Sequence, residues 1–138
     1  MSDPSKKAAP FSIRLSQATD KLVTAEARRT KRSRSAIVEA FTEETARARR
    51  FPGIAFRGDD ASRRAWVVGS GLDVWEIIHM LEDFGTVERL VRDTHLNEPQ
   101  VGLAQVYRDE HPREIAEAIK ENRRPISELR ELYPFIAR

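Results

Sequence analysis

Two sets of side chains in this chain have types and spacings suited to chemistry. Ser12 and Arg14 sit on alternate positions, and Lys31-Arg32-Ser33-Arg34-Ser35 combines cations with hydroxyls. An arginine fork matches the two acceptors on the edge of a guanine. Hydroxyls and free amides at the start of a helix hold a phosphate. The residues expected of an enzyme are not arranged for one. His79, His95 and His111 include no pair at metal-ligand spacing, and no Glu completes a zinc motif. Asp59 and Asp60 follow Gly58 in ordinary turn chemistry. If the chain had a catalytic role, Asp59, Asp60 and Asp73 would be its metal-dependent nuclease cluster. There is no Gly-rich phosphate loop and no Gly-x-Ser-x-Gly, and Gly69-Ser70-Gly71 reads as a connector. The chain has no cysteine, which excludes disulfides, thiolate zinc sites and cysteine nucleophiles. The expectation is a binding protein with no catalytic residues, no metal and no cofactor.

The elements that must position Ser12 and Arg14 follow from periodicity. In Phe11-Ser12-Ile13-Arg14-Leu15-Ser16, apolar Phe11, Ile13 and Leu15 alternate with polar residues, the period of a strand with one buried face. A lone strand cannot satisfy its backbone groups, and nothing nearby in sequence pairs with it. A second copy of the chain is the simplest partner, and two such strands form an antiparallel ribbon that fits a DNA major groove. Ser16 is placed to cap a helix over about Gln17 to Thr30, with Asp20 near its positive end. Ser33 is placed to cap a second helix from Arg34 to about Arg49, with Ala36, Ile37, Ala40, Phe41 and Thr45 near one face.

This ordered set, covering about Phe11 to Glu44, resembles the ribbon-helix-helix family of the MetJ/Arc/CopG type. The resemblance implies an intertwined homodimer with Phe11, Ile13, Leu15, Ile37 and Phe41 in its core. It implies that Ser12 and Arg14 enter the groove. It also implies that Ser33 and Ser35, with Lys31, Arg32 and Arg34, meet DNA phosphates. Family members often carry three polar residues on the groove face; here Pro10 stands at the outer position and donates no hydrogen bond.

A boundary is expected at Arg49-Arg50-Phe51-Pro52-Gly53, where helical periodicity stops. Ile54–Arg57 and Ala65–Val68 flank a polar stretch and read as a hairpin. Asp73 with Glu76 forms a capping box ahead of a helix that ends near Gly85. Thr86 caps a short helix, Asn97 with Gln100 caps another containing Pro99, and His111-Pro112 opens a last one. This order is that of a small α+β domain of winged-helix or helix-turn-helix type. Over about Phe51 to Asn122 it resembles a domain-of-unknown-function family common in bacterial antitoxins, often encoded beside PIN-like ribonuclease toxins. The motifs carrying that resemblance are Phe51-Pro52-Gly53-Ile54, Leu72-Asp73-Val74-Trp75-Glu76, Gln100-Val101 with Tyr107, and His111-Pro112-Arg113-Glu114-Ile115.

The candidate recognition helix of this second domain, Glu98 to Tyr107, contains no Lys or Arg. A helix entering a groove needs cations, so a protein-contact role is expected there. In the last stretch, Ile126, Leu129, Leu132, Tyr133 and Ile136 fall near one helical stripe with Phe135 beside them. They pack on their own domain or lie in a partner's groove. The antitoxin resemblance adds weight to the second reading.

Charge divides the same way. Residues 1–50 hold 12 Lys/Arg against 6 Asp/Glu, net +6, and residues 51–138 hold 12 against 16, net −4, which together give the chain's +2. The basic part coincides with the expected DNA face. No apolar run approaches a membrane span, and residues 1–10 lack a signal-peptide core. The expectation is therefore a mostly α protein with four parts: a disordered arm at 1–10, a ribbon-helix-helix dimer over 11–50, a helix-turn-helix-like domain over 51–122 and an amphipathic tail over 123–138. Its partners would be operator DNA, a second copy (or a higher oligomer) and an adjacent-gene toxin, in the cytoplasm near the nucleoid. The alternatives are a ribbon-helix-helix regulator with no toxin and a pure interaction scaffold.

Overall fold

The computed structural model describes residues 6–59 and 63–122. Its elements run α1 (Gln17–Thr30), α2 (Arg34–Arg50), β1 (Ile54–Arg57), β2 (Arg64–Val67), β3 (Leu72–Asp73), α3 (Val74–Phe84), α4 (Val87–Asp93), α5 (Glu98–Glu110) and α6 (Pro112–Asn122). The protein is mostly helical with one small antiparallel sheet. It divides into two compact units, Met1–Thr42 and Glu43–Arg138. The dividing point lies inside α2, upstream of the helix end at Arg50.

In the first unit, local chemistry sets both helices. Ser16 takes extended backbone angles and its hydroxyl accepts from the Thr19 amide at 3.2 Å, the cap expected of it. α1 ends on Lys31 in the left-handed region at φ 55°, and the Arg32 amide reaches back to the Ala27 carbonyl at 3.0 Å. That backward bond is how a left-handed residue closes a helix. Ser33 then accepts from the Ala36 amide at 3.1 Å and starts α2. The core between the two helices is small: Val23, Ala27 and Ile37 are buried, with Leu15 and Val38 against them.

Phe11 to Ser16 carries no regular secondary structure in the single chain. The expected strand has nothing to pair with, since every described strand belongs to the second unit. A ladder cannot form from one strand, so the alternation of Phe11, Ile13 and Leu15 goes unused here. Phe11 is 85 % exposed, Ile13 55 %, Leu22 69 % and Phe41 42 %. Of the expected dimer-core set, Ile37 is buried in the single chain and Leu15 packs against the same small cluster.

In the second unit the sheet order is β1-β2-β3. Ile54 faces Val67 and Phe56 faces Ala65 across β1 and β2, and Trp66 faces Asp73 across β2 and β3. The two-residue β3 was not visible in sequence; it is too short to show a period. The Val68 amide bonds the Gly53 carbonyl at 2.9 Å, which extends the hairpin by one rung. Because bonded pairs alternate in an antiparallel ladder, the carbonyl of Phe56 points away from β2. It accepts from the Arg63 guanidinium at 3.0 Å, and the same guanidinium grips both oxygens of Glu44 on α2 at 2.7 Å.

The helices beyond the sheet begin where the sequence marks them. Capping boxes at Asp73–Glu76 and Asn97–Gln100 are both formed, Thr86 accepts from the Arg89 amide, and Gly85 closes α3. α3 is the centre of the packing and touches α4, α5, α6 and the sheet. Val74, Ile77, Leu90, Val101, Ala104 and Tyr107 are fully buried. Phe51, just past the end of α2, belongs to this core. Gly53 turns the chain from α2 to β1 at φ +103°, and a Cβ there would stand 2.8 Å from Leu103 Cδ2.

Candidate nucleic-acid interface

The turn between α1 and α2 gathers the cations and hydroxyls singled out in sequence. Lys31, Arg32, Ser33, Arg34 and Ser35 are all exposed. Ser33 Oγ is engaged by the Ala36 amide, while the amides of Arg34 and Ser35 meet no acceptor among the described residues. Together they form a helix start with open N–H groups, no acid in its first turn and cations on the approach. That arrangement favours an anion.

The cations of the first unit differ in what they already hold. Arg34 is paired with Asp20, Arg29 with Glu26 and Lys7 with Glu39. Arg14, Lys21, Arg28, Lys31 and Arg32 have no ion pair among the described residues. In the second unit the arginines around the sheet, and Arg47 and Arg50 near the end of α2, are occupied by acids. Arg57 holds Asp73 at 2.8 Å, Arg63 holds Glu44, Arg64 holds Glu121 at 2.8 Å, Arg50 holds Glu110 at 2.5 Å, and Arg47 holds Glu114 at 2.8 Å and Glu43 at 2.7 Å. Arg49, Arg89, Arg113 and Lys120 of the second unit are likewise exposed and without an ion pair among the described residues, but none lies on the sheet. Ser12 and Arg14 are exposed on the segment ahead of α1.

Sequence reading missed a polar network in the second unit. Tyr107, with no exposed surface, donates its hydroxyl hydrogen to Glu114 at 2.7 Å and accepts from Arg47 at 3.0 Å. Its ring packs edge-on to Phe51 at 5.3 Å and lies 4.7 Å from the His111 ring. Burial, and then the bond to Glu114, push the Tyr107 hydroxyl well above a tyrosine's ordinary value of 10. Burial and the nearby Arg47 guanidinium hold the His111 ring below its ordinary 6.5. The residues lie 60 and 67 positions apart in sequence. The only trace of the network in the sequence is a tyrosine on an apolar helix face.

The other polar candidates have structural duties. Asp73 receives Arg57 at 2.9 Å and the Trp75 indole N–H at 3.1 Å, and it caps α3. His95 Nε2 lies 2.8 Å from the Ser70 carbonyl, and His79 lies 3.5 Å from Asp83 on its own helix. No group of three metal-binding side chains occurs among the described residues, and Asp60 lies outside them. The tail residues Ile126, Leu129, Leu132, Tyr133, Phe135 and Ile136 also lie outside them. No helix among the described residues is long and apolar enough to cross a membrane. The chain matches no protein-family model, no curated protein and no solved structure.

Proposed function

We propose that this protein is a homodimeric DNA-binding repressor and the antitoxin of a type II toxin–antitoxin pair. The first unit binds the operator of its own gene. Ser12 and Arg14 read bases from a ribbon made with the second copy, and Lys31, Arg32, Ser33 and Ser35 hold phosphates. The second unit and residues 123–138 engage a PIN-like ribonuclease encoded next door. The protein acts in the cytoplasm, at the nucleoid.

The observation that carries the DNA reading is the turn between α1 and α2. Lys31 and Arg32 stand unpaired beside the open N-terminus of α2, whereas the arginines around the second unit's sheet are neutralised by Asp and Glu. Nucleic-acid affinity depends on cations free to displace the counterions of phosphates. The exposed apolar residues Phe11 and Ile13 alternate with Ser12 and Arg14, as a ribbon with one buried and one groove-facing side requires. Arg34 is the weakest of the phosphate candidates because Asp20 already holds it.

The test is fluorescence anisotropy on the DNA upstream of the gene, across a salt series, with Arg14→Ala beside the wild type. Specific binding by wild type and a loss of about 1–3 kcal/mol in the variant are expected. Binding no better than to unrelated DNA overturns the reading. Co-purification with the neighbouring gene's product separates the antitoxin from a regulator that has no toxin.

A further inference from the structure

α2 is one helix of 17 residues, and it serves both units. Its first half supplies Ile37 to the first unit's core, which has only three buried side chains among the described residues. So small a core holds two helices weakly, and isolated helices of this length are marginal in water. Its second half is held by side chains of the second unit at three places. Glu44 is gripped by Arg63, Arg47 by Tyr107 and Glu114, and Arg50 by Glu110. The Arg47 contact is the most buried of these: its side chain is 24 % exposed and its partner Tyr107 fully buried.

We infer that the Arg47–Tyr107–Glu114 network positions the proposed phosphate site by anchoring α2: holding its second half keeps its first half, including the Ser33 start, in helical form. This rests on the DNA reading for its functional meaning. Helix formation is cooperative along the chain, so a fixed half lowers the free energy of extending the helix into the other. The accessible member of the network is Glu114, whose side chain is 42 % exposed and binds Arg47 through one oxygen and Tyr107 through the other.

The test is hydrogen–deuterium exchange of the full-length protein, wild type against Arg47→Met, with Glu114→Gln as a milder variant that keeps the core filled. Exchange of the α2 amides at 38–42 is expected to quicken about tenfold or more in both variants. Faster exchange that stops at residue 43 overturns the inference. If Arg47→Met does not fold, Glu114→Gln decides alone. DNA affinity is measured in parallel: it falls in the variants while its salt dependence keeps the wild-type slope, because no phosphate contact is removed. Where the wild type binds its DNA, unchanged affinity in both variants overturns the claim that the network positions the phosphate site. A wild type that does not bind DNA overturns the proposed function instead, and the exchange data still judge the anchoring.

Discussion

Lys31 occupies the position that closes α1, at φ 55° and ψ 39°, where glycine is the usual choice. It is the one non-glycine residue at positive φ among those described. A side chain there costs about 1 kcal/mol. Replacing it with glycine should raise the melting temperature and at the same time weaken DNA binding, lowering the salt slope by about one. Opposite signs in calorimetry and anisotropy are the signature; a loss in both would show that Lys31 matters only to the fold. Tyr107 and His111 make stability depend on pH from both sides. Tyr107 ionises less readily in the fold than in the unfolded chain, so its contribution is full below pH 10 and is lost as pH rises beyond it. His111 takes up a proton less readily in the fold, so its contribution is full above 6.5 and is lost as pH falls below it. Thermal melts across pH should show both slopes, and Tyr107→Phe should flatten the alkaline one. None of this was legible in sequence. A titration shift depends on neighbours in space, and Arg47, Tyr107 and Glu114 come from three helices.

At the scale of elements, most starts and stops were legible because short-range chemistry decides them. Ser16, Ser33, Asp73, Thr86 and Asn97 each cap the helix their position announces. Ser33→Ala should cost about 1 kcal/mol, read as a lower denaturation midpoint with an unchanged slope. The extent of α2 as a shared element was not legible, because Arg49-Arg50-Phe51-Pro52-Gly53 marks where the helix ends and not which unit its last turns join. Gly53 is a sharper test of the same junction. Gly53→Ala places a Cβ against Leu103 at a positive φ, and should destabilise the second unit by about 1–3 kcal/mol in chemical denaturation.

At the scale of the whole molecule, the single chain leaves Phe11, Ile13, Leu22 and Phe41 in water. If a second copy covers the first two as the proposed ribbon requires, Phe11→Asp should weaken the dimer by roughly tenfold or more in sedimentation velocity, with the second unit's melting unchanged. An unaltered sedimentation coefficient would remove the ribbon. The sequence pointed to a pairing strand because the alternation is local. The pairing that the proposed ribbon requires is not legible there, because it would involve a second molecule.

The grip of Arg63 on the Phe56 carbonyl bears on that second molecule. A strand at the margin of a sheet ordinarily invites another strand to join it. On β1 the outward carbonyl of Phe56 is already taken, and the guanidinium that takes it is tied down by Glu44. The hairpin is therefore a poor template for a stranger's backbone. The backbone of Phe11 to Leu15 has no such guard among the described residues, which leaves it open to the pairing that the proposed ribbon requires.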